Sequence, residues 1–230
     1  MRGERRAWLR NASAAALAAQ LFALFGGLRE ALAAGNVEKG VARVRGDARI
    51  NDVRAKEGME VKAGDVVTTG PASEIVFVVG HDAFLLRANS RIEVQGEKGS
   101  LTAAGLRILT GAILSVFSPG QPKRLQTATA VIGIRGTGIY VEAEDARTYV
   151  CTCYGEAEIV SAADPVARET VRTQHHDEPR YVMAKGAPQM LMKAPVVNHT
   201  DAELTMLEAL VGRFPPFVPW PGEDRPLTGY

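Results

Sequence analysis

The chain has 230 residues, 46% of them hydrophobic and 23% charged, and a formal net charge of +1. Such a chain buries one sizeable core, and one main domain is the expectation. The first 33 residues hold five arginines against Glu4 and Glu30, so the remainder is faintly acidic and offers no basic surface of the kind nucleic acids select.

Residues 1–33 read as an export signal rather than as part of the fold. They run from a basic start (Arg2, Arg5, Arg6, Arg10) through an apolar stretch, Ala12 to Leu28, to Ala31-Leu32-Ala33, which fits an A-x-A cleavage site. Arg5-Arg6-Ala7-Trp8-Leu9-Arg10 looks like the twin-arginine export motif, two arginines followed at fixed distance by an aromatic residue, a leucine and a basic residue. A general secretory signal is the alternative. The apolar stretch, about 17 residues rich in alanine and interrupted by Ser13 and Gln20, makes a weak membrane span. Cleavage after Ala33, a periplasmic destination and no stable membrane span in the mature chain are expected, with an uncleaved anchor as the alternative.

From Val37 to Met183, short β-branched and aliphatic runs are broken by Gly, Asp, Asn or Pro, the pattern of an all-β domain over residues 37–185. The predicted strands are Val41 to Arg45, Asp47 to Ile50, Met59 to Lys62, Val66 to Thr69, Ile75 to Val79, Ala83 to Arg87, Arg91 to Gln95 and Leu106 to Leu109. They continue with Ala112 to Phe117, Arg124 to Thr127, Ala130 to Ile132, Gly138 to Glu142, Thr148 to Cys153, Ala157 to Val160, Glu169 to Thr173 and Arg180 to Met183. Many short antiparallel strands of this kind close their apolar faces either as a two-sheet sandwich or as a short β-solenoid.

Residues 186–213 read as a linker and a C-terminal helix. Thr200-Asp201-Ala202-Glu203 fits a capping box, Leu204, Leu207, Leu210 and Val211 supply one apolar face, Gly212 can end the helix and Pro215 stops it. The tail, residues 214–230, carries five prolines with Phe214, Phe217, Trp220 and Tyr230 and is expected to lie extended over a surface. It covers a sheet edge or docks a partner.

The ordered runs Gly64-Asp65-Val66-Val67-Thr68-Thr69-Gly70, Ser73-Glu74-Ile75-Val76-Phe77, Leu85 to Ile92, Gly111 to Val116 and Thr127 to Gly138 resemble the FecR domain, named for the periplasmic regulator of ferric citrate uptake. Later segments, Thr148 to Gly155, His175 to Tyr181 and His199 to Leu204, look like stand-alone FecR-domain proteins of proteobacteria. The resemblance implies a periplasmic module for envelope sensing, signalling or scaffolding, with a protein–protein interaction at the envelope as its output. Founding regulators carry a sigma-factor-binding segment before their membrane span, whereas about ten residues precede the apolar stretch here. Sigma-factor contact is therefore not carried over.

The run Gly133-Ile134-Arg135-Gly136-Thr137-Gly138 has the wrong order for a dinucleotide loop and no helix pattern after it. A structural turn through Gly133, Gly136 and Gly138, with Arg135 bonding carbonyls or a carboxylate, is the reading. Cys151 and Cys153 lie one residue apart in a predicted strand, so both leave one face with Cα atoms about 6.6 Å apart. A disulfide would need a bulge there. Two thiolates on one face can instead grip one soft ion and leave two tetrahedral positions.

His175, His176 and His199 supply candidates for those positions, the preferred set being Cys151, Cys153, His176 and either His199 or His175. Neighbouring histidines on a regular strand point to opposite faces, so His175 and His176 can share an ion only from a turn. Such a site suits copper(I) or zinc, with iron as a further option. A metal-free structural or protein-binding module, with buried cysteines and surface histidines, is the competing reading. A cysteine nucleophile with a histidine base is the enzyme hypothesis, and no oxyanion-hole signature or orienting triad supports it. The expectation is a non-enzyme.

Overall fold

The computed structural model describes residues 39–218. The signal motif Arg5, Arg6, Trp8, Leu9, Arg10 and the tail beyond Val218 lie outside the described residues. Fourteen strands and one helix follow in chain order: β1 Gly40–Arg45, β2 Ala48–Ile50, β3 Val53–Arg54, β4 Val66–Thr69, β5 Glu74–Val79, β6 Asp82–Leu86, β7 Arg91–Gln95, β8 Gly105–Val116, β9 Lys123–Gln126, β10 Ala130–Ala143, β11 Arg147–Ser161, β12 Arg168–Thr173, β13 Arg180–Met183, β14 Leu191–Lys193 and the helix α1 Asp201–Leu210.

The all-β expectation holds, with corrections to its detail. All fourteen strands belong to one open sheet, ordered β14-β13-β11-β10-β9-β8-β7-β4-β2-β3, with β1-β5-β6 joined to it through β8 and β12 through β11. Three pairs of predicted short strands are each one long strand: β8, β10 and β11 have 12, 14 and 15 residues. Each bends midway and changes partner. The first half of β8 pairs with β7 and the second with β6 and β10, while β11 pairs with β13 near its start and β12 near its end. Glycines with positive φ mark the bends, Gly111 (84°), Gly136 (51°) and Gly155 (90°), a region closed to most L side chains. Pairing is antiparallel throughout except for β8 with β9. Met59 to Lys62 is not a strand, although Met59 O accepts from Val41 N of β1 at 2.8 Å, and the expected linker contains β14.

Because the sheet folds over itself, a single core collects Val67, Ile92, Leu106 and Leu125 with Phe77, Phe84, Phe117, Ile139 and Ile159. Phe84 stacks on Phe77 at 5.0 Å and meets Phe117 edge-on at 5.6 Å, an arrangement favoured by the ring quadrupoles. A buried ion pair, Lys123 Nζ to Asp82 Oδ2 at 3.0 Å, sits at its margin, and Asp82 also accepts from the Ser118 backbone and hydroxyl.

The opposite face of β5, β6, β8, β10 and β11 forms a second apolar cluster, with Val76, Val78, Leu85, Leu114, Val116, Tyr140 and Tyr149, and α1 caps it through Leu204, Leu207 and Val211. The helix begins as its sequence demands. Thr200 accepts from the Glu203 backbone, Glu203 answers the Thr200 backbone, and Gly212 follows the Val211 cap with φ of 71°. Its buried face also holds a carboxylate, Glu208, bonded by Tyr154 Oη and, at 2.6 Å, by Arg213 Nε. Burial pushes the Glu208 carboxyl up, against the pull of Arg213 and the Tyr154 hydroxyl.

Candidate functional site

The expected turn at residues 133–138 is instead a bulge inside β10. Register slips between Arg135 and Gly138 and again between Gly138 and Ile139. Arg135 is exposed, and Thr137 supplies the carbonyl contacts assigned to it: its hydroxyl donates to Arg135 O at 2.7 Å and Glu156 O at 3.0 Å. Gly133 lies in regular strand with open space where a Cβ would point, whereas the ring of Tyr154 lies against Gly138.

The second slip places Cys153 on the strand opposite. Tyr154 faces Gly138 and Thr152 faces Ile139, leaving Cys153 as the extra residue of a β-bulge in β11. Cys151, Cys153 and Tyr154 therefore all enter the helix-covered cluster, where a regular strand would send Tyr154 to the other face. Both cysteines are free thiols without exposed surface.

The histidines come from two loops. After β12 the chain turns around Thr173 and Asp177, whose side chains bond each other at 2.8 Å and the backbone of residues 174, 175 and 177. His176 follows with φ of 54°, an uncommon conformation for a residue with a Cβ, and its backbone N–H donates to Cys153 O at 2.9 Å. His199 comes from the segment before α1, clamped by Tyr149 Oη, which donates to Pro195 O at 2.9 Å and accepts from Val197 N at 3.3 Å. Its ring stacks on Tyr140, centroids 4.6 Å apart.

Together these elements gather Cys151, Cys153, His176 and His199, with one donor atom from each all within 4.8 Å of one another. Cys151 Sγ lies 3.6 Å from His176 Nδ1, and His199 Nε2 lies 3.0 Å from the same nitrogen. The remaining ring nitrogens face acceptors: His199 Nδ1 donates to Val197 O at 2.6 Å and His176 Nε2 to Asp201 Oδ1 at 3.0 Å. His175 is the member of the sequence-derived set that stands outside the inner four. Its Nε2 meets both Asp201 oxygens at 2.9 Å, with His175, His176 and Asp201 forming a second, outer set. His81 lies apart, in the β5–β6 turn, where its carbonyl accepts from Arg213.

Electrostatics match this arrangement. The Cys151 thiol is held well below its ordinary range, first by the Cys153 thiol and then, against burial, by the His176 and His199 rings. Burial and the neighbouring Cys151 push Cys153 up. For His176 burial pulls downward, but Cys151 and Asp201 outweigh it and the net direction is up. Asp201 feels burial raising it, yet His175 and His176 hold it low, so it is an ionised acceptor. Asp201 was missed as a site residue because, in sequence, it reads only as the first acidic residue of a helix.

No family model and no curated protein matches the chain. It is similar to two crystal structures of a candidate anti-sigma factor from Parabacteroides distasonis, each at 16% identity, with TM-scores of 0.46 and 0.45. Each match covers 56% of this chain and 58% of the other.

Proposed function

We propose that the chain is an exported, non-enzymatic FecR-type module of the bacterial envelope that holds one soft transition-metal ion, copper(I) or zinc, between Cys151, Cys153, His176 and His199, and passes its state to an envelope protein partner. One observation carries the metal reading. His176 Nδ1 and His199 Nε2 face each other at 3.0 Å while each ring's other nitrogen is committed to an acceptor, so two lone pairs converge beside two sulfurs. Such a meeting needs a cation between the nitrogens, either a proton or a metal ion.

The sulfur–nitrogen distance suits a metal ion, whereas the nitrogen–nitrogen distance is that of an N–H···N hydrogen bond and opens by about 0.3 Å to admit one. A tetrahedral ion bound at about 2.3 Å by sulfur and 2.0–2.1 Å by nitrogen separates a sulfur from a nitrogen by about 3.6 Å and two nitrogens by about 3.3 Å. The corresponding separations are 3.6 Å and 3.0 Å. Asp201 and the Val197 carbonyl would serve as the outer partners that fix each imidazole's tautomer and orientation. Full burial of both sulfurs supports a binding role over nucleophilic catalysis, which needs a reachable thiolate. The twin-arginine pattern of residues 5–10 supports the same reading, because that route carries folded proteins and lets thiolate ligands be loaded under reducing conditions.

The experiment is thermal melting of the full chain with and without a chelator. Metal affinity adds to folding free energy, so chelation should lower Tm and readdition restore it. Cys151→Ser and Cys153→Ser should each abolish the response, and His81→Ala should keep it. Identical melts with and without chelator would leave the metal-free structural module in its place.

A further inference from the structure

The two inner sulfurs are closed off from solvent, and the two inner imidazoles are part-buried. Cys151 and Cys153 are both 0% exposed, and the His176 side chain is 11% exposed. His176 is also the residue common to both donor sets: Nδ1 faces the thiols and His199, while Nε2 faces Asp201. On the solvent side of that ring stand His175 and Asp201, with side chains 48% and 51% exposed and two contacts of 2.9 Å between them. An exposed nitrogen and carboxylate pair thus leads, through one shared imidazole, to a buried sulfur and nitrogen set.

From this juxtaposition we infer that His175 and Asp201 form an acquisition site, where a borderline divalent ion such as zinc is captured from solution before His176 hands it to the inner four. The inference rests on the metal reading above and adds the path. The donor chemistry is graded in the required sense: the outer nitrogen and oxygen donors hold a hydrated divalent ion moderately, and the inner thiolates hold it far more tightly. Transfer proceeds by donor exchange without redox change. A carboxylate oxygen and the His175 nitrogen leave the ion as the sulfurs, His176 Nδ1 and His199 Nε2 join it, and any protons those four donors carried pass to solvent. Phe217 packs on the His175 ring, centroids 4.4 Å apart, and brings no donor atom to the site.

Stopped-flow loading of the full chain with zinc alone, and its removal by a competing chelator, tests the path. His175→Ala should slow capture and release by the same factor, because one path serves both directions. Its equilibrium affinity should stay at the native value, because the inner four and the Asp201 contact to His176 remain. Phe217→Ala, which removes the ring neighbour and no donor, should load at near-native rate. Native rates in His175→Ala, or equal slowing in Phe217→Ala, would overturn the acquisition site while leaving the inner site standing. Failure of the native chain to bind zinc or copper(I) would remove both.

Discussion

The ring of Tyr154 occupies the space that a Cβ on Gly138 would need, so the β10 bulge and the Cys153 bulge are sterically matched across the strand pair. Tyr154 also bonds Glu208 of α1 and meets Phe217 edge-on at 5.9 Å, which ties the strand bend to the C-terminal segment. Gly138→Ala should therefore force the ring away and destabilise the fold by about 1–3 kcal/mol, the scale of overpacking. Gly133→Ala, with open space around it, should change stability by no more than about 0.5 kcal/mol. Urea unfolding of the two variants checks the contrast within one glycine-rich run.

Lys123→Met is expected to cost about 3–5 kcal/mol, because it leaves the Asp82 carboxylate buried without its counter-charge. Ser118 alone remains as an Asp82 side-chain partner, through its backbone and hydroxyl. Adding Asp82→Asn to that variant should recover part of the loss, since no net charge then stays buried. Equilibrium unfolding of the single and double variants measures both quantities.

Stability on the acid side should depend on Arg180, which bonds Glu169 through two nitrogens at 2.6 and 2.7 Å and pairs with Glu178 at 2.6 Å. The Arg180 guanidinium holds the Glu169 carboxyl below the ordinary glutamate range. A lowered folded-state value means the contribution is present above the unfolded value and is lost as pH falls through the folded one. Glu169→Gln should lower Tm at pH 7 and flatten its decline below about pH 5. An unchanged slope of Tm against pH would contradict the assignment. Because the Glu169 side chain is more than a third exposed, solvent screening should keep the effect at neutral pH small.

Asp201→Asn should weaken metal binding about 10–100-fold while keeping the helix, because it removes the anionic acceptor that sets the His176 tautomer. Thr200→Ala, one residue earlier, should behave oppositely: it removes the helix cap at a cost of about 1 kcal/mol and leaves the affinity nearly intact. Competition against a chelator of known strength, together with melting of the metal-free chains, separates the two effects.

Much of this was legible in the sequence for reasons that can be named. Local chemistry fixes the α1 cap through Thr200 and Glu203, and β-branched and aliphatic runs broken by turn residues mark β4, β7 and β13 to the residue. The C-x-C spacing correctly put both sulfurs on one face, and the condition that adjacent histidines share a site only from a turn is the one His175 and His176 meet. What escaped was non-local. Breaks at Gly111, Gly136 and Gly155 look like strand ends in one dimension, yet they are bends in β8, β10 and β11 because partners on both sides continue the ladder. Leu191–Lys193 is too short to signal a strand and becomes one only beside β13. Glu208 reads as a solvated helix position until Tyr154 and Arg213 are placed beside it.

The central claim is that two sulfurs and two imidazoles hold one ion, and X-ray absorption at the metal edge of the full chain, loaded with one equivalent of zinc, reads that directly. The account predicts a shell of two sulfurs at about 2.3 Å and two nitrogens at about 2.0–2.1 Å, with the sulfur shell halved in Cys151→Ser. A first shell of oxygen and nitrogen alone, unchanged by Cys151→Ser, would contradict it.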